Sequence, residues 1–247
     1  RTARFNVTVG KRWFWGGFTL EHIRQGGSDA TFCAATSPDD PAAIIFTSGS
    51  TGAPKGVLYH HDVFDQQVLQ IQDQYNIQPG EVDLPAFPLF GLFNAAMGVT
   101  TVIPEMDFTR PARANPQSII EVVTDQDVTQ SFGSPAFWNT VSRHCVASGI
   151  QLPTLRRVLS AGAPVSPEVL RRVKASIAKD GEIHTPYGAT EALPIASISA
   201  ADVLGATAQG DEGTVAHSNR GGGTCVGRRF SGIQWRIIRI SDDPIDS

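Results

Sequence analysis

The sequence of 247 residues predicts an α/β fold in which a mostly parallel sheet is flanked by helices. Two observations lead to this prediction. From Ala42 onward, short apolar runs alternate with longer segments whose apolar residues recur every three or four positions, as on one face of a helix. Three of the helical segments also begin alike, with a capping residue followed by proline. Strands that alternate with helices are typical of βαβ units and parallel sheets.

The predicted elements follow one another along the chain. Ala42–Phe46 is an apolar run, which we expect to form a buried strand. The next segment is a predicted helix that Asp62 caps and that Pro79-Gly80 ends. Residues 205–224 are rich in Gly, Thr and Ser and predict a mobile loop, and Gly232–Ile240 alternates as a strand does. The later helices begin at Asn115-Pro116, Ser134-Pro135 and Ser166-Pro167, and the later strands lie at Val128–Phe132, Arg157–Ser160 and Glu182–Thr185.

Composition narrows the classes of function. Lys and Arg total 20 against 24 Asp and Glu, and the isoelectric point is near 5.8. This balance gives no general attraction to nucleic acid or to anionic membranes, so neither is expected as a partner. Cys33, Cys145 and Cys225 are an odd number at wide spacing, without a zinc pattern, and predict buried free thiols in a reducing cytoplasm. No apolar run is long enough to span a bilayer.

The segment TSGSTGAPKG, residues 47–56, follows the predicted strand Ala42–Phe46 and predicts an anion site. Its glycines let the backbone turn inward, so that successive N–H groups can surround an anion. Ser48, Ser50 and Thr51 supply hydroxyl donors and Lys55 supplies a mobile positive charge, a set that suits a polyphosphate. The loop is not a Walker A loop, which needs glycine before the lysine and Ser or Thr after it. The alternative is a plain glycine-rich turn.

Two more glycine-bearing polar segments follow predicted strands, SAGAP (160–164) and TPYGATEALP (185–194). Because ligands of open parallel sheets bind beyond the carboxyl ends of the strands, the three segments predict one composite site. Tyr187 can stack on a purine, Thr190 can hydrogen-bond a phosphate, and Glu191 can ligate Mg²⁺ together with phosphate oxygens. The alternatives are a simple tight turn at SAGAP, a packing role for Tyr187 and a solvated acid at Glu191.

These motifs resemble those of the adenylate-forming superfamily of acyl-CoA synthetases, adenylation domains and luciferases. FTSGSTGAPKG resembles its phosphate loop, SAGAP its adenine loop and YGATE its aromatic-Gly-x-Thr-Glu motif. GTCVGRR (223–229) is similar to its later Gly-x-x-Gly-Arg-Pro stretch, with Arg229 where proline is usual. Segments 85–112, 132–138 and 184–198 are similar to the olefin-biosynthesis β-lactone synthetases, which are relatives of fatty acyl-CoA ligases. Coenzyme A-dependent relatives often carry histidine where this chain has Gly91.

The resemblance implies ATP and Mg²⁺ as cofactors and the large N-terminal domain of the adenylate-forming fold. It assigns catalytic roles to Lys55, Thr190 and Glu191, with Glu191 as the Mg²⁺ ligand and Thr190 at the α-phosphate. The other residues expected at the nucleotide are Thr47, Ser48, Gly49, Ser50, Thr51 and Gly52 around the phosphates, Gly162, Ala163 and Pro164 beside the adenine, and Tyr187 and Gly188 against its ring.

The resemblance also implies an acyl pocket, lined by FPLFGLFNAAMG (87–98). Its expected substrate-binding residues are Phe90, Gly91, Phe93 and Gly133. The alternative is that this segment is a core helix.

The function that the resemblance implies is AMP-forming activation of a long-chain β-hydroxy fatty acid, followed by closure to a β-lactone. Other olefin-biosynthesis enzymes are then expected partners. The alternatives are a long-chain fatty acyl-CoA or acyl-AMP ligase and, from another class, a non-catalytic nucleotide-binding fragment.

The resemblance further implies that the chain is a fragment of a large domain, because the superfamily's ribose-binding aspartate, hinge and catalytic lysine lie downstream in a C-terminal lid. Residues 1–41 are expected to be an N-terminal segment of that domain, and 42–247 its ATP- and acyl-binding part. Alone, the chain is expected to be weakly active or inactive.

Overall fold

Residues 5–14, 16–27, 33–47, 54–208 and 224–236 are described by the computed structural model of this chain. The chain divides into two units, Arg1–Ser37 and Pro38–Ser247. In the first unit, strand β1 (Val7–Thr8) pairs in parallel with β2 (Phe18–Thr19), which leads into helix α1 (Leu20–Gln25). The Thr19 side chain caps this helix by accepting a hydrogen bond from the His22 amide.

The second unit begins with a two-stranded antiparallel hairpin of β3 (Pro41–Phe46) and β4 (Gly56–His60). The prediction of a strand at Ala42–Phe46 is confirmed, but the prediction that it is buried is wrong. The side chains of Ile44 and Phe46 are 62% and 67% exposed. A short apolar run indicates a strand without indicating its partners, and here the partner is the next strand in sequence rather than a parallel sheet.

The main sheet has seven strands in the order β11-β10-β9-β8-β7-β5-β6. The five strands from β6 to β9 are parallel, and β10 and β11 are antiparallel to their neighbours, so the predicted mostly parallel sheet is confirmed. The strands are β5 (Val82–Pro85), β6 (Thr100–Thr101), β7 (Gln130–Gly133), β8 (Arg157–Ser160), β9 (Glu182–Ala189), β10 (Ala192–Ser199) and β11 (Arg228–Arg229).

Six α-helices of this unit are described: α2 (His61–Tyr75), α3 (Gly91–Met97), α4 (Pro116–Asp125), α5 (Pro135–Ser148), α6 (Pro167–Ser176) and α7 (Ala200–Ala208). The three predicted cap–proline starts are confirmed, since the side chains of Asn115, Ser134 and Ser166 accept hydrogen bonds from backbone amides of the first turn. The predicted cap at Asp62 is wrong. Strand β4 runs directly into α2, which leaves His60 at the cap and Asp62 within the first turn.

Two predictions near the end of the chain lie partly outside the described residues. Residues 205–208 belong to α7 instead of a loop, and 209–223 lie outside the described residues. In the expected strand Gly232–Ile240, residues 232–236 form no strand and 237–240 lie outside the described part. Across the described ranges, no helix combines the length and the apolar character needed to cross a membrane.

The three cysteines are free thiols. The prediction that they are buried is confirmed for Cys145 and is wrong for Cys33 and Cys225, which are exposed.

Two apolar clusters hold the sheet. The larger one joins Leu84, Val158 and Ile183 of the strands to α4, α5 and α6 and contains the fully buried Phe137. The smaller cluster lies beneath α2 and α3, with members Tyr75, Ile77, Phe93, Met97, Val99 and Phe230. Neighbouring residues of a strand point to opposite faces, so the two clusters cover the two faces of the sheet.

Candidate active site

A cavity of about 1950 Å³ opens in the second unit, and its described lining includes two groups of residues. The first group, the loop end, lies on turns and strand ends: Thr47, Lys55, Gly162, Ala163, Pro164, Tyr187, Gly188, Ala189, Thr190 and Glu191. The second group, the sheet end, lies between the sheet and the helices α2 and α3: Asp83, Phe90, Phe93, Asn94, Met97 and Gln130. The three segments that the sequence singled out thus share one cavity.

The first segment of the loop end is the turn of the β3–β4 hairpin. The backbone amide of Thr47 donates to the Lys55 carbonyl at 2.9 Å, which closes the turn at its base. Both residues line the cavity, and Lys55 is exposed. The predicted phosphate-loop residues Ser48, Gly49, Ser50, Thr51 and Gly52 lie outside the described residues.

The second segment is a hairpin as well. Strand β9 continues four residues past the predicted end at Thr185, so Tyr187 and Gly188 lie in the strand and the turn before β10 consists of Thr190 and Glu191. Position 188 requires glycine because the two strands approach closely there, and a Cβ would lie 2.7 Å from the Leu193 Cβ. The Tyr187 ring is half-exposed at the cavity, which leaves a face open for stacking.

A buried tyrosine joins the two hairpins. The hydroxyl of Tyr59 in β4, a side chain only 4% exposed, donates to the backbone carbonyl of Thr190 in the β9–β10 turn. Nearby, the Gln67 side chain of α2 donates to the Leu193 carbonyl at 2.9 Å. The Tyr59 contact links the hairpin that carries Lys55 to the turn that carries Glu191, and the Gln67 contact links α2 to β10. Sequence reasoning missed both residues, because neither belongs to a motif and each acts across more than 120 positions of the chain.

The SAGAP segment follows β8 and leads to the N-terminus of α6. Gly162 has φ of +93°, and a Cβ built there would meet no atom within 4 Å, so the backbone faces open space. Ser160 lines the same cavity, and its buried hydroxyl has no hydrogen-bond partner within the described structure. The open backbone turn and the Tyr187 face fit a flat ring with polar edges, as in an adenine.

The loop end fits a magnesium ion that is held partly by phosphates better than a metal ion that is held by protein ligands alone. Glu191 is an exposed carboxylate beside the cavity. Among the described residues, no group of three or more His, Cys, Asp or Glu is arranged to hold a metal ion. Mg²⁺ normally takes one or two protein carboxylates and completes its shell with phosphate oxygens and water, so a single glutamate fits that ion when phosphates are present.

The apolar segment 87–98 forms a single 3₁₀ turn, Pro88–Phe90, followed by α3. Phe93 and Met97 are buried in the smaller apolar cluster and also line the cavity, so the segment packs as a core helix and faces the cavity at once. The Phe90 ring stacks on Phe132 with centroids 4.0 Å apart. Among the predicted acyl-binding residues, Phe90 and Phe93 line the cavity.

The other two predicted acyl-binding residues, Gly91 and Gly133, are absent from the described cavity lining. Each is a place of close packing instead. A Cβ at Gly91 would lie 3.0 Å from Thr101 Cγ2, and one at Gly133 would lie 2.6 Å from Phe137 Cδ1. Their small size serves the contact between elements.

Polar side chains lie at the sheet end, which no motif indicated. Asp83 is 5% exposed and Asn94 is 2% exposed, and both line the cavity. The Asn94 amide donates to Asp83 Oδ2 at 2.7 Å and to Thr101 Oγ1 at 2.9 Å. Burial raises the pKa of Asp83 to about 7, although the hydrogen bond from Asn94 opposes that increase.

Tyr75 lies beside this end of the cavity. Its hydroxyl donates to Ser197 Oγ at 3.0 Å, and burial raises its pKa to about 12. The neighbouring His184 ring lies 5.1 Å away, and burial lowers the pKa of that histidine. Tyr75 therefore stays protonated and His184 is disposed to stay neutral near pH 7.

The sequence is similar to known enzymes over nearly its whole length. Residues 15–243 match the family described as AMP-binding enzyme. An olefin beta-lactone synthetase of Xanthomonas campestris pv. campestris is 46% identical over 240 residues, which cover 97% of this chain and 41% of that protein. An olefin beta-lactone synthetase of Stenotrophomonas maltophilia is 45% identical with the same coverage. The chain thus spans about two fifths of the length of these curated relatives.

Solved structures share the fold. A luciferase-like enzyme from the mealworm Zophobas morio superposes with a TM-score of 0.66 at 18% identity, covering 91% of this chain and 49% of that one. A nonribosomal peptide synthetase bound to α-methyl-L-serine-AMP gives a TM-score of 0.65 at 23% identity, covering 75% and 21%. The N-terminal domain of FACL13 from Mycobacterium tuberculosis gives a TM-score of 0.65 at 18% identity, covering 87% of this chain and 50% of that one. The fold is therefore that of the N-terminal domains of adenylate-forming enzymes, as the sequence predicted.

Proposed function

Because this chain belongs to the AMP-binding enzyme family, we propose that it is the nucleotide- and acyl-binding part of an ATP-dependent, AMP-forming ligase. The substrate that we propose is a long-chain β-hydroxy fatty acid. The enzyme first joins its carboxylate to AMP and then closes the acyl group to a β-lactone. The 46% identity to an olefin beta-lactone synthetase supports this reaction over other reactions of the family.

The observation that carries the proposal is that one cavity is lined by Lys55, by Gly162–Pro164 and by Tyr187–Glu191. A base-binding turn, an aromatic face, a cation and a carboxylate are the groups that a magnesium nucleotide needs. The cavity continues past this loop end to the apolar side chains Phe90, Phe93 and Met97. An acyl chain can therefore lie in the same cavity as the nucleotide.

In the first step, a carboxylate oxygen attacks the α-phosphorus and pyrophosphate leaves. Two anions must approach each other, so the protein has to offset the negative charge that accumulates at the phosphates. Lys55 supplies a positive charge there, and Thr190 supplies a hydroxyl and a backbone amide at the turn. Glu191 would hold Mg²⁺, which neutralises phosphate charge when bound. The Tyr59–Thr190 hydrogen bond keeps these turns together.

In the second step, the β-hydroxyl oxygen of the substrate attacks the activated acyl carbon, the hydroxyl loses its proton, and AMP leaves. The nucleophile is part of the same molecule, so it has a large proximity advantage over any dissolved nucleophile. What the chain contributes is an apolar surface, including Phe90 and Phe93, that excludes water and holds the acyl chain bent.

The test is product analysis of the full-length protein with ATP, Mg²⁺ and 3-hydroxy acids of graded length, without coenzyme A. We expect AMP, pyrophosphate and a β-lactone. A thioester that forms only with coenzyme A would replace the proposal by a fatty acyl-CoA ligase, and a stable acyl-AMP would replace it by an acyl-AMP ligase. Failure to release pyrophosphate with any acid would favour a non-catalytic nucleotide-binding protein.

A further inference from the structure

The reaction proposed above uses apolar side chains at the sheet end of the cavity, but none of the polar groups that lie there. Thr101, Asp83, Gln130, Arg157 and Glu182 are successive register partners on β6, β5, β7, β8 and β9. Register partners on parallel strands point to the same face of the sheet, with neighbouring strands roughly 4.8 Å apart. A polar row therefore crosses the sheet on the side that α2 and α3 cover.

Two members of this row, Asp83 and Gln130, line the cavity, and one side-chain oxygen of each is already hydrogen-bonded within the protein. Asp83 Oδ2 accepts from Asn94, and Gln130 Oε1 accepts from Arg157 at 2.8 Å. Asp83 and Gln130 are 5% and 4% exposed, and both line the cavity. The side-chain hydrogen bonds of these two residues within the described structure involve Asp83 Oδ2 and Gln130 Oε1, and none involves Asp83 Oδ1 or Gln130 Nε2. One acceptor and one donor on adjacent strands thus remain for a ligand.

The depth of this pair in the cavity is set by the strand register. Asp83 and Gln130 lie three residues before the row of Gly133 and Ser160, which reaches the adenine loop. Three residues of strand span roughly 10 Å. An acyl group activated at the loop end therefore places the middle or far part of its chain at Asp83, and not its β-carbon.

We propose that Asp83 and Gln130, with Asn94 fixing the Asp83 carboxyl, form a subsite for a hydroxyl group on the distal part of the acyl chain. A hydroxyl both donates and accepts, so it can donate to Asp83 Oδ1 and accept from Gln130 Nε2. An alkyl chain at the same place would leave both buried groups without a partner, which is costly. The inference rests on the proposed acyl-activating function.

The charges around Asp83 are compatible with this role. Arg157 favours its ionised form and Glu81 opposes it, and these two form an ion pair with each other. Asn94 of α3 and Thr101 of β6 contribute neutral polar groups, and Tyr75 of α2 stays protonated. Either form of the Asp83 carboxyl can accept a hydrogen bond from an alcohol, so recognition of a hydroxyl tolerates the titration of this group near pH 7.

The experiment compares pairs of β-hydroxy acids of equal chain length, one with a plain alkyl chain and one with a second hydroxyl near its far end. Pyrophosphate release by the full-length protein gives kcat/KM for each. We expect the second hydroxyl to raise kcat/KM by about tenfold in at least one chain length, since a hydrogen bond to a carboxylate contributes about that factor.

Two variants separate recognition from folding. Asp83→Leu removes the acceptor and should abolish the preference, whereas Asp83→Asn keeps an acceptor oxygen and should retain most of it. Asp125→Leu, at an exposed position of α4, is the control and should leave the ratio as in the wild type. If Asp83→Leu does not fold, loss of part of the preference in Asp83→Asn still supports the subsite.

Equal kcat/KM for the paired acids at every length would overturn the subsite, as would an unchanged ratio in folded Asp83→Leu. Failure of the proposed function gives a different result, namely no pyrophosphate from any acid. Calorimetric binding of the paired acids then decides the subsite: tighter binding of the doubly hydroxylated acid that depends on Asp83 supports it, and equal affinity refutes it.

Discussion

The two ends of the cavity are built in different ways. The loop end presents exposed groups, such as Lys55 and Glu191, on the turns of two hairpins. The sheet end presents Asp83 and Gln130, which are almost fully buried within regular strands. Groups on turns can move toward a charged ligand and are stabilised by water without one, whereas buried groups are held in place and depend on their partners. Substitution of the exposed charged groups at the loop end should therefore affect mainly activity, and substitution of the buried groups at the sheet end should affect stability.

The largest expected effect on stability concerns pH at the sheet end. The pKa of Asp83 rises from 3.8 to about 7 on folding. This shift corresponds to a change of about 4 kcal/mol in the free energy of unfolding between low and high pH. The folded state binds the proton more tightly, so the stability contributed by protonated Asp83 is full below pH 3.8 and is lost as the pH rises to about 7. Urea unfolding from about pH 5 to about pH 8 should show this decline in the wild type, and Asp83→Asn should lack that part of it.

The control for this series is Asp125→Asn, which changes an exposed carboxyl of α4. The unfolding free energy of this variant should depend on pH in the same way as that of the wild type. Parallel curves for the wild type and Asp83→Asn would contradict the idea that the sheet end holds a buried acid.

The largest expected effect on activity lies at the loop end. Glu191→Ala removes the proposed Mg²⁺ ligand and should lower ATP–pyrophosphate exchange by the full-length protein by about 100- to 1,000-fold, the size seen when one group that offsets transition-state charge is lost. Unfolding free energy should stay within about 0.5 kcal/mol, because the side chain is exposed. Glu105→Ala, at another exposed position, is the control and should change neither the exchange rate nor the unfolding free energy. Retained exchange in Glu191→Ala would remove this residue from the proposed mechanism.

The difference between the two ends also decides what the sequence can predict. Thr190 and Glu191 are neighbours in the chain, so the motif YGATE could be recognised at once, as could the cap–proline starts of α4, α5 and α6. Asp83 and Gln130 meet only because β5 pairs with β7, 47 positions later. The signal available was a polar residue inside each of two short strands, and it becomes informative only after the register is known. The antiparallel pairing of β3 was hidden for the same reason.

Substitution of Gly188, which matters for both packing and ATP binding, should have a smaller effect. Gly188→Ala places a Cβ 2.7 Å from the Leu193 Cβ, so the β9–β10 hairpin has to shift. We expect a loss of about 1–3 kcal/mol in unfolding free energy, together with weaker ATP binding because Thr190 and Glu191 move with the hairpin. Gly205→Ala in α7 is the matched control, since a Cβ there meets no atom and alanine favours helix by about 0.5–1 kcal/mol. Equal stability of both variants would mean that the hairpin tolerates the displacement.

The smallest expected effect tests the link between the two hairpins. Tyr59→Phe removes the hydroxyl that donates to the Thr190 carbonyl and should cost about 1 kcal/mol of stability, while the ring stays packed against Phe64. If that hydrogen bond holds the Lys55 turn against the Glu191 turn, the Kd for ATP should rise several-fold. Tyr75→Phe removes a buried hydroxyl that bonds Ser197 at the sheet end instead, so it should lose similar stability with an unchanged Kd for ATP. An equal change of Kd in both variants would show that nucleotide binding responds to general loosening of the domain and not to the contact between the turns.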